Sequence, residues 1–315
     1  MAKSRKFFSL RVILCVAALV FFAATGDAQN LKVTLLGTGS PQPRMDRFGP
    51  SILVEAGGEK LVFDCGRGAT QRLAQLKIPF SDITALFVTH LHSDHVVGIP
   101  DLWLTGWLNG RKVPMRVWGP TGTKTMMTHL QEAFEFDIHI RRDVDEKIPG
   151  AGSQVEAKDV EEGVVYEHDG VKVTAFFVDH GLVKPALGYR VDFGGHSVVL
   201  SGDTRPSENL VHWATGTDLL IHEVIDPEAF IQERGKALGP EAVKQILGHH
   251  TTPEQAGTIF TTVKPKLAVY SHVVPGNGQN FVALTRKTYA GPLEVGEDLM
   301  SMEVGEKIVV QRPVK

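Results

Sequence analysis

The 315-residue sequence has little cysteine, with Cys15 and Cys65 the only two, and few large polar aromatics, with four tryptophans and four tyrosines. Its longest apolar run, from Val12 to Ala24, falls short of the roughly 20 residues needed to cross a bilayer as a helix. There is no excess of positive charge. The chain carries 33 basic and 36 acidic residues, a net charge of −3, so the bulk composition does not suggest a nucleic-acid binder. No internal repeat and no low-complexity linker interrupts it. What remains is an ordinary globular balance of 43% hydrophobic and 22% charged residues, with 32 glycines to serve short strands and tight turns.

The N-terminus reads as a targeting segment outside the fold. Lys3, Arg5, Lys6 and Arg11 precede the apolar run. Gly26 and Ala28 then stand at the −3 and −1 places for cleavage after Ala28. An uncleaved anchor is the alternative, and the short apolar run disfavours it. Cys15 lies inside that run after Leu14, not after the small residue a lipid-attachment site requires. Cleavage would remove four basic residues and one acidic residue, leaving a charge of −6. It would also leave Cys65 alone, with no intramolecular disulfide to form. The expected location is periplasmic or secreted, without a membrane anchor once residues 1–28 are gone, and stability would then depend on a good core or on bound metal.

Beyond residue 30, short β-branched or apolar runs bounded by turn residues predict strands at Leu31–Leu36, Ser51–Val54, Lys60–Phe63, Ala85–Val88, Met115–Trp118, Val171–Val178, Leu187–Val191, Ser197–Leu200, Asp218–Ile221, Leu267–Tyr270 and Lys307–Val310. Helices are expected at Thr70–Leu76, Thr121–Phe134 and Thr252–Val263, the last with a Thr cap and Pro253 in its first turn. The charged, Gly-rich segment from Arg141 to Gly163 reads as a surface excursion. No shift in composition marks a second domain. Residues 29–315 are therefore expected to form one α/β domain, two packed sheets with helices outside, in a four-layer αββα sandwich.

The chemistry is concentrated in Thr89-His90-Leu91-His92-Ser93-Asp94-His95, which follows the apolar strand Ala85–Val88. Neutral imidazoles and a carboxylate are zinc ligands, and a loop at a strand end can aim several of them at one point. The H-x-H-x-D-H pattern also calls for distant partners. Candidates are present in Asp179-His180-Gly181, Ser201-Gly202-Asp203-Thr204 and Tyr270-Ser271-His272.

The set resembles the signature of the metallo-β-lactamase superfamily. Leu36-Gly37-Thr38-Gly39-Ser40-Pro41 and Leu61-Val62-Phe63-Asp64-Cys65-Gly66 resemble motifs of its ribonuclease Z-like branch. The resemblance implies two zinc ions per chain. His90, His92 and His180 would hold one, Asp94, His95 and His272 the other, with Asp203 bridging and Asp94 also serving catalysis. Two such ions lower the pKa of a water between them and clamp a developing oxyanion. Asp64 resembles a buried carboxylate that supports the metal loop. Gly248-His249-His250-Thr251-Thr252-Pro253 resembles the branch's segment in which a histidine acts at the scissile phosphate, which places His250 there and leaves His249 a surface neighbour. Glu223, of His222-Glu223, would orient His250 or a metal ligand, or else serve as a salt-bridged carboxylate at a strand end. Trp103 and Trp107, spaced i,i+4, would line a substrate wall or belong to the core.

Within the branch, the overall resemblance is to exported arylsulfatase-like hydrolases. The branch's tRNA 3′-processing enzymes carry a long basic arm between the Gly188-Tyr189-Arg190 stretch and the Asp203 motif. Here Arg190 and Ser201 are too close for more than a hairpin. The expectation is an exported hydrolase of sulfate or phosphate (di)esters with a small anionic ester substrate and no nucleic-acid partner. Two alternatives stand beside it: a ribonuclease Z-type endoribonuclease with a tRNA partner, and a non-catalytic metal-binding protein on the same fold. The sequence leaves oligomeric state open, homodimer included. Mass spectrometry of the protein recovered outside the cytoplasm is expected to find Gln29, or a close neighbour, at the N-terminus. Met1 intact on a cytoplasmic protein would reverse the localisation.

Overall fold

The computed structural model describes residue 1, residues 31–275 and residues 280–313. The expected export segment, residues 1–28, lies outside the described residues apart from Met1. Among the described residues no helix is long and apolar enough to cross a membrane.

The chain first lays down β1 (Leu31–Gly37), β2 (Ser51–Ala56), β3 (Glu59–Phe63), β4 (Ala85–Phe87), β5 (Met115–Gly119) and β6 (Val155–Asp159). It then builds a second sheet from β7 (Gly163–His168), β8 (Val171–His180), β9 (Val183–Phe193), β10 (His196–Leu200), β11 (Leu219–Ile225), β12 (Leu267–Val274) and β13 (Leu293–Val295). Finally β14 (Ser301–Val304) and β15 (Val309–Gln311) return to the first sheet. The spatial orders are β15-β14-β1-β2-β3-β4-β5-β6 and β13-β12-β11-β10-β9-β8-β7. Antiparallel hairpins form one part of each sheet. The runs β3-β4-β5 and β10-β11-β12 are parallel, and helices fill the crossovers between them.

Three stacked cores define four layers. The middle one joins the inner faces of the two sheets around Phe63, Phe87, Trp118 and Tyr189. The Phe63 and Phe87 rings stack 4.9 Å apart, and Tyr189 Oη donates to Val88 O at 2.7 Å, which ties the second sheet to the residue just past the end of β4. Each such ring contributes on the order of 1.5–3 kcal/mol by leaving water. One outer core packs Leu73, Leu102, Trp103 and Trp107 against the first sheet. The other packs Leu210, Ile259 and Phe260 against the second. The expected αββα sandwich is thus the observed fold.

Trp103 and Trp107 belong to the core. Both are fully buried on the helix Ile99–Leu108, and their indole N–H groups donate to Ser153 O and Pro149 O. The segment 141–163 is more than an excursion, because Val155–Asp159 pairs in parallel with β5 as an edge strand. Its pattern, Val-Glu-Ala-Lys-Asp, half-buries the apolar positions and leaves the charged ones open, which is the usual protection of an edge and hides the strand from a search for apolar runs. Gly194 and Gly195, at φ 59° and 82°, make the two-residue turn that joins β9 to β10, with Phe193 opposite His196. The strands therefore meet in a tight hairpin with no arm between them.

Candidate metal centre

The site forms where β4, β8, β10 and β12 end or bend towards one another. Beyond Phe87 the chain leaves the sheet, with Val88 N still donating to Trp118 O at 2.7 Å, and turns into the short helix Ser93–Val96. Asp64 organises this loop. Its carboxylate accepts from Thr89 N and Thr89 Oγ1, each at 2.8 Å, and from His95 Nδ1 at 2.7 Å. A bond on Nδ1 turns the His95 Nε2 inward. The loop is stitched to residues 65–66 by Cys65 N to His95 O and Gly98 N to Cys65 O, both 2.8 Å. Gly66 makes the approach possible, since a Cβ there would lie 2.5 Å from Asp94 O.

Three other loops complete the centre. His180 ends β8, its Nδ1 donates to His249 O at 3.0 Å, and its Nε2 lies 3.4 Å from His92 Nδ1. Asp203 follows β10. Its Oδ2 lies 3.8 Å from His90 Nε2, 3.4 Å from His95 Nε2, 4.0 Å from His180 Nε2 and 3.3 Å from His272 Nε2. His272, in β12, adds a contact of 3.4 Å to Asp94 Oδ2. It also adopts φ 46°, as Asp64 adopts φ 56°. Left-handed backbone at a non-glycine residue costs of order 1–3 kcal/mol, so the surrounding packing must hold both residues in place.

All seven side chains expected to hold metal come together, in two groups. His90, His92, His180 and Asp203 form one, and Asp94, His95 and His272 the other. The buried Nε2 atoms of His90 and His95 have no hydrogen-bond partner among the described residues. Buried polar atoms without partners are costly, and imidazole lone pairs aimed at carboxylate oxygens 3–4 Å away are what a cation would satisfy. The donor set therefore fits divalent metal. The electrostatics agree. Burial opposes charge on His272, but the Asp203 carboxylate outweighs it and pushes the group up to about 9. Burial and the neighbouring His95 charge hold His90 far below its ordinary value. Burial would raise the Asp203 carboxyl, but His272 and His95 hold it well below the carboxylate range. The pocket around Asp203 thus draws in positive charge.

Beside this centre, Glu223 Oε1 accepts from His250 Nδ1 at 3.1 Å, Thr251 N at 3.0 Å and Thr204 N at 3.2 Å. Burial opposes charge on His250, and the Glu223 carboxylate overcomes it, so the imidazole titrates above its ordinary value. The ring lies 5.7 Å from that of His272 and 5.1 Å from that of His180. Glu223 thus touches His250 and the backbone of two loops rather than the imidazole cluster. A cavity of about 380 Å³ opens onto the centre, bordered by His92, Asp94, Asp203, His249, His250 and His272. A smaller space of about 40 Å³ lies on the inner side, between the sheets.

Residues 31–227 match the family model described as Anti-Pycsar protein Apyc1. The ribonuclease Z of Mycolicibacterium gilvum is 36% identical over 281 residues, covering 87% of this chain and 96% of that protein. The chain belongs to the Apyc1 family and to the ribonuclease Z-like branch of the metallo-β-lactamase superfamily. Among solved structures, the metallo-β-lactamase fold protein YhfI from Bacillus subtilis superposes with a TM-score of 0.68 at 16% identity, over 88% of this chain and all of that one. Human tRNase Z, short form, gives 0.62 at 24% identity, over 86% of this chain and 98% of that one. Both share the fold. Membership makes the chain a metal-dependent hydrolase of this superfamily.

The relatives overturn the expected exported arylsulfatase-like activity, and with it the small anionic ester substrate and the absence of a nucleic-acid partner. The sequence argument relied on the expected export, on net charge and on the missing arm. Net charge averages the whole surface, whereas a polyanion is bound by local charges. An arm between β9 and β10 would add contacts remote from the centre without changing the centre itself. Pattern reading also missed the part played by His249. It is half-buried, its carbonyl fixes the His180 ring, and its side chain borders the cavity. Backbone bonds of this kind leave no trace in residue type. Replacing Asp64 by Asn removes the acceptor that turns His95 inward. The expected outcome is a 10–100-fold weaker retention of divalent metal, measured by competition with a chelator, in a protein that still folds.

Proposed function

We propose that the protein is a binuclear zinc endoribonuclease of the ribonuclease Z type, cutting a phosphodiester bond of RNA, with tRNA precursors the first substrates to test. The observation that carries this reading is the 36% identity to a ribonuclease Z over 96% of that enzyme. The grouping of the imidazoles supports one ion on His90, His92 and His180 and another on Asp94, His95 and His272, with Asp203 between them. When bound, such ions activate a water and neutralise charge on the attacked phosphate.

The chain's own residues supply the rest. Asp64 and His249 O fix the rings of His95 and His180, so their Nε2 atoms face the centre before any ion arrives. Asp94 places a carboxylate oxygen on the cavity side of the centre, in position to orient the attacking water as well as to bind metal. His250 gives its Nδ1 proton to the bond with Glu223 and keeps Nε2 for the substrate, where it protonates the leaving oxygen or steadies a non-bridging one. Glu223 is a positioning residue for His250. The same Oε1 gathers Thr204 N and Thr251 N, which fixes the loop after Asp203 against the loop that carries His250.

Residues 1–28, proposed to direct export and be removed, decide which RNA the enzyme meets. They do not decide what the site does to it.

Zinc-loaded protein is expected to contain close to two metal ions per chain and to cut a tRNA precursor near the 3′ end of the tRNA body. His250→Ala is expected to keep both ions and lower RNA cleavage by about 10²–10⁴. Its effect on a nitrophenyl phosphodiester is smaller, because nitrophenolate leaves without a proton. Turnover of the nitrophenyl ester with no cleavage of any RNA would overturn the ribonuclease reading. Loss of an ion in His250→Ala would make His250 a ligand.

A further inference from the structure

Between β11 and the loop of His250, two consecutive helices, Pro227–Leu238 and Pro240–Leu247, form a hairpin over the cavity. The first is capped by Asp226, whose side chain accepts from Ala229 N at 3.1 Å. A small separate core of Ile225, Phe230, Val243 and Val274 attaches the hairpin to the second sheet. On its first helix Phe230, Arg234 and Leu238 recur every four residues, so one stripe faces the cavity. Phe230 and Leu238 are apolar and pack in or against that core. Arg234 is not, and it sits in the middle of the stripe.

The hydrogen-bond partners of the neighbouring charges make Arg234 unusual. Arg44, across the cavity, is held by Asp46 through bonds of 2.9 and 2.8 Å. Arg234 is half-buried and forms no ion pair or side-chain hydrogen bond among the described residues. The cavity wall is mixed, with Phe230, Leu238 and Ile246 apolar and Glu233, Asp94 and Asp203 acidic, and none of these carboxylates pairs with Arg234 among the described residues. A guanidinium with five donors and no acceptor from the chain is arranged to meet an oxyanion from outside it. The same cavity is bordered by His250 and by Asp203 at the centre of the imidazole cluster. A polyanion seated with its scissile phosphate at the cluster has this space open beside it for its next residues.

We propose that Arg234 binds a phosphate of the RNA next to the scissile one, while Phe230, Leu238 and Ile246 form an apolar bed for the intervening base. This deepens the ribonuclease reading and rests on it. The helical hairpin then acts as a substrate-positioning element and selects polynucleotides over simple diesters. A simple diester has no second phosphate for Arg234 to hold.

The test separates binding from cutting. Hydrolysis of bis(4-nitrophenyl) phosphate by the zinc-loaded enzyme is followed while a short oligoribonucleotide competes, so the inhibition constant reports RNA binding whether or not the RNA is cut. Arg234→Ala is expected to raise that constant about tenfold relative to any change in nitrophenyl turnover. It is also expected to flatten the dependence of log Ki on log salt by about 0.7, the value for one single-strand phosphate contact. Arg234→Lys restores part of the affinity, because the charge remains without the fork. Lys236→Ala, on the same helix but away from this cavity, leaves both measurements unchanged. An unchanged inhibition constant or salt slope in Arg234→Ala overturns the proposal, as does an equal fall in nitrophenyl turnover accompanied by metal loss. If the wild type binds the oligonucleotide through Arg234 but cuts no RNA, the ribonuclease reading fails and the Arg234 contact stands.

Discussion

The carboxylate of Asp203, about 3% exposed, has four imidazole nitrogens within 4.0 Å of one oxygen. A buried ion is tolerated only when its charge is answered nearby, and a buried imidazole lone pair only when it has a partner. Positive charge at this point satisfies both demands. Asp203 raises the affinity of His272 for a proton, and the bare Nε2 atoms of His90 and His95 are what a divalent cation would satisfy. The centre is therefore high in energy by itself, and the surrounding structure exists to hold it in that state.

That structure works by fixing backbone. The seven clustered side chains stand on four separate segments, at the ends of β4, β8 and β10 and within β12. Two of these segments are secured by buried carboxylates. Asp64 holds the first, Glu223 ties the third to the His250 loop, and Thr251 Oγ1 donates to Thr204 O at 2.5 Å. The opening loop after β1 is gripped by Asp298, which accepts from Thr38 N at 2.9 Å and Phe48 N at 2.8 Å and pairs with Arg72. Buried carboxylates thus serve as nodes that bind N–H groups from different loops. A carboxylate that gathers several N–H groups in this way is rigid, and rigidity keeps the imidazoles aimed.

The imidazole centre and the helical hairpin over the cavity rest on cores of very different size. The centre lies against the large core between the sheets. The helical hairpin over the cavity rests on a core of only a few residues. A few buried contacts give low local stability, so this hairpin is the part of the cavity wall freest to adjust. The two-residue turn between β9 and β10 carries no extension, and the cavity with its hairpin lies at the other end of these strands.

The sequence by itself determined the family, the four-layer fold and the identity of the seven clustered side chains. These are fixed by short motifs and by apolar alternation along each strand, both of which are properties of near neighbours in the chain. It located most strands, and it missed β6, β7, β13 and β14, where the burial pattern is partial or the strand is short. It left Trp103 and Trp107 undecided, since i,i+4 spacing describes a face without saying what covers it. Only the tertiary structure decided that both are core. Only the tertiary structure chose His250, rather than a metal ligand, as the partner of Glu223, and brought the carbonyl of His249 to His180 and Arg234 to the cavity. Those relations join residues on different elements or pass through backbone atoms that every residue shares, so no local pattern of residue types can carry them.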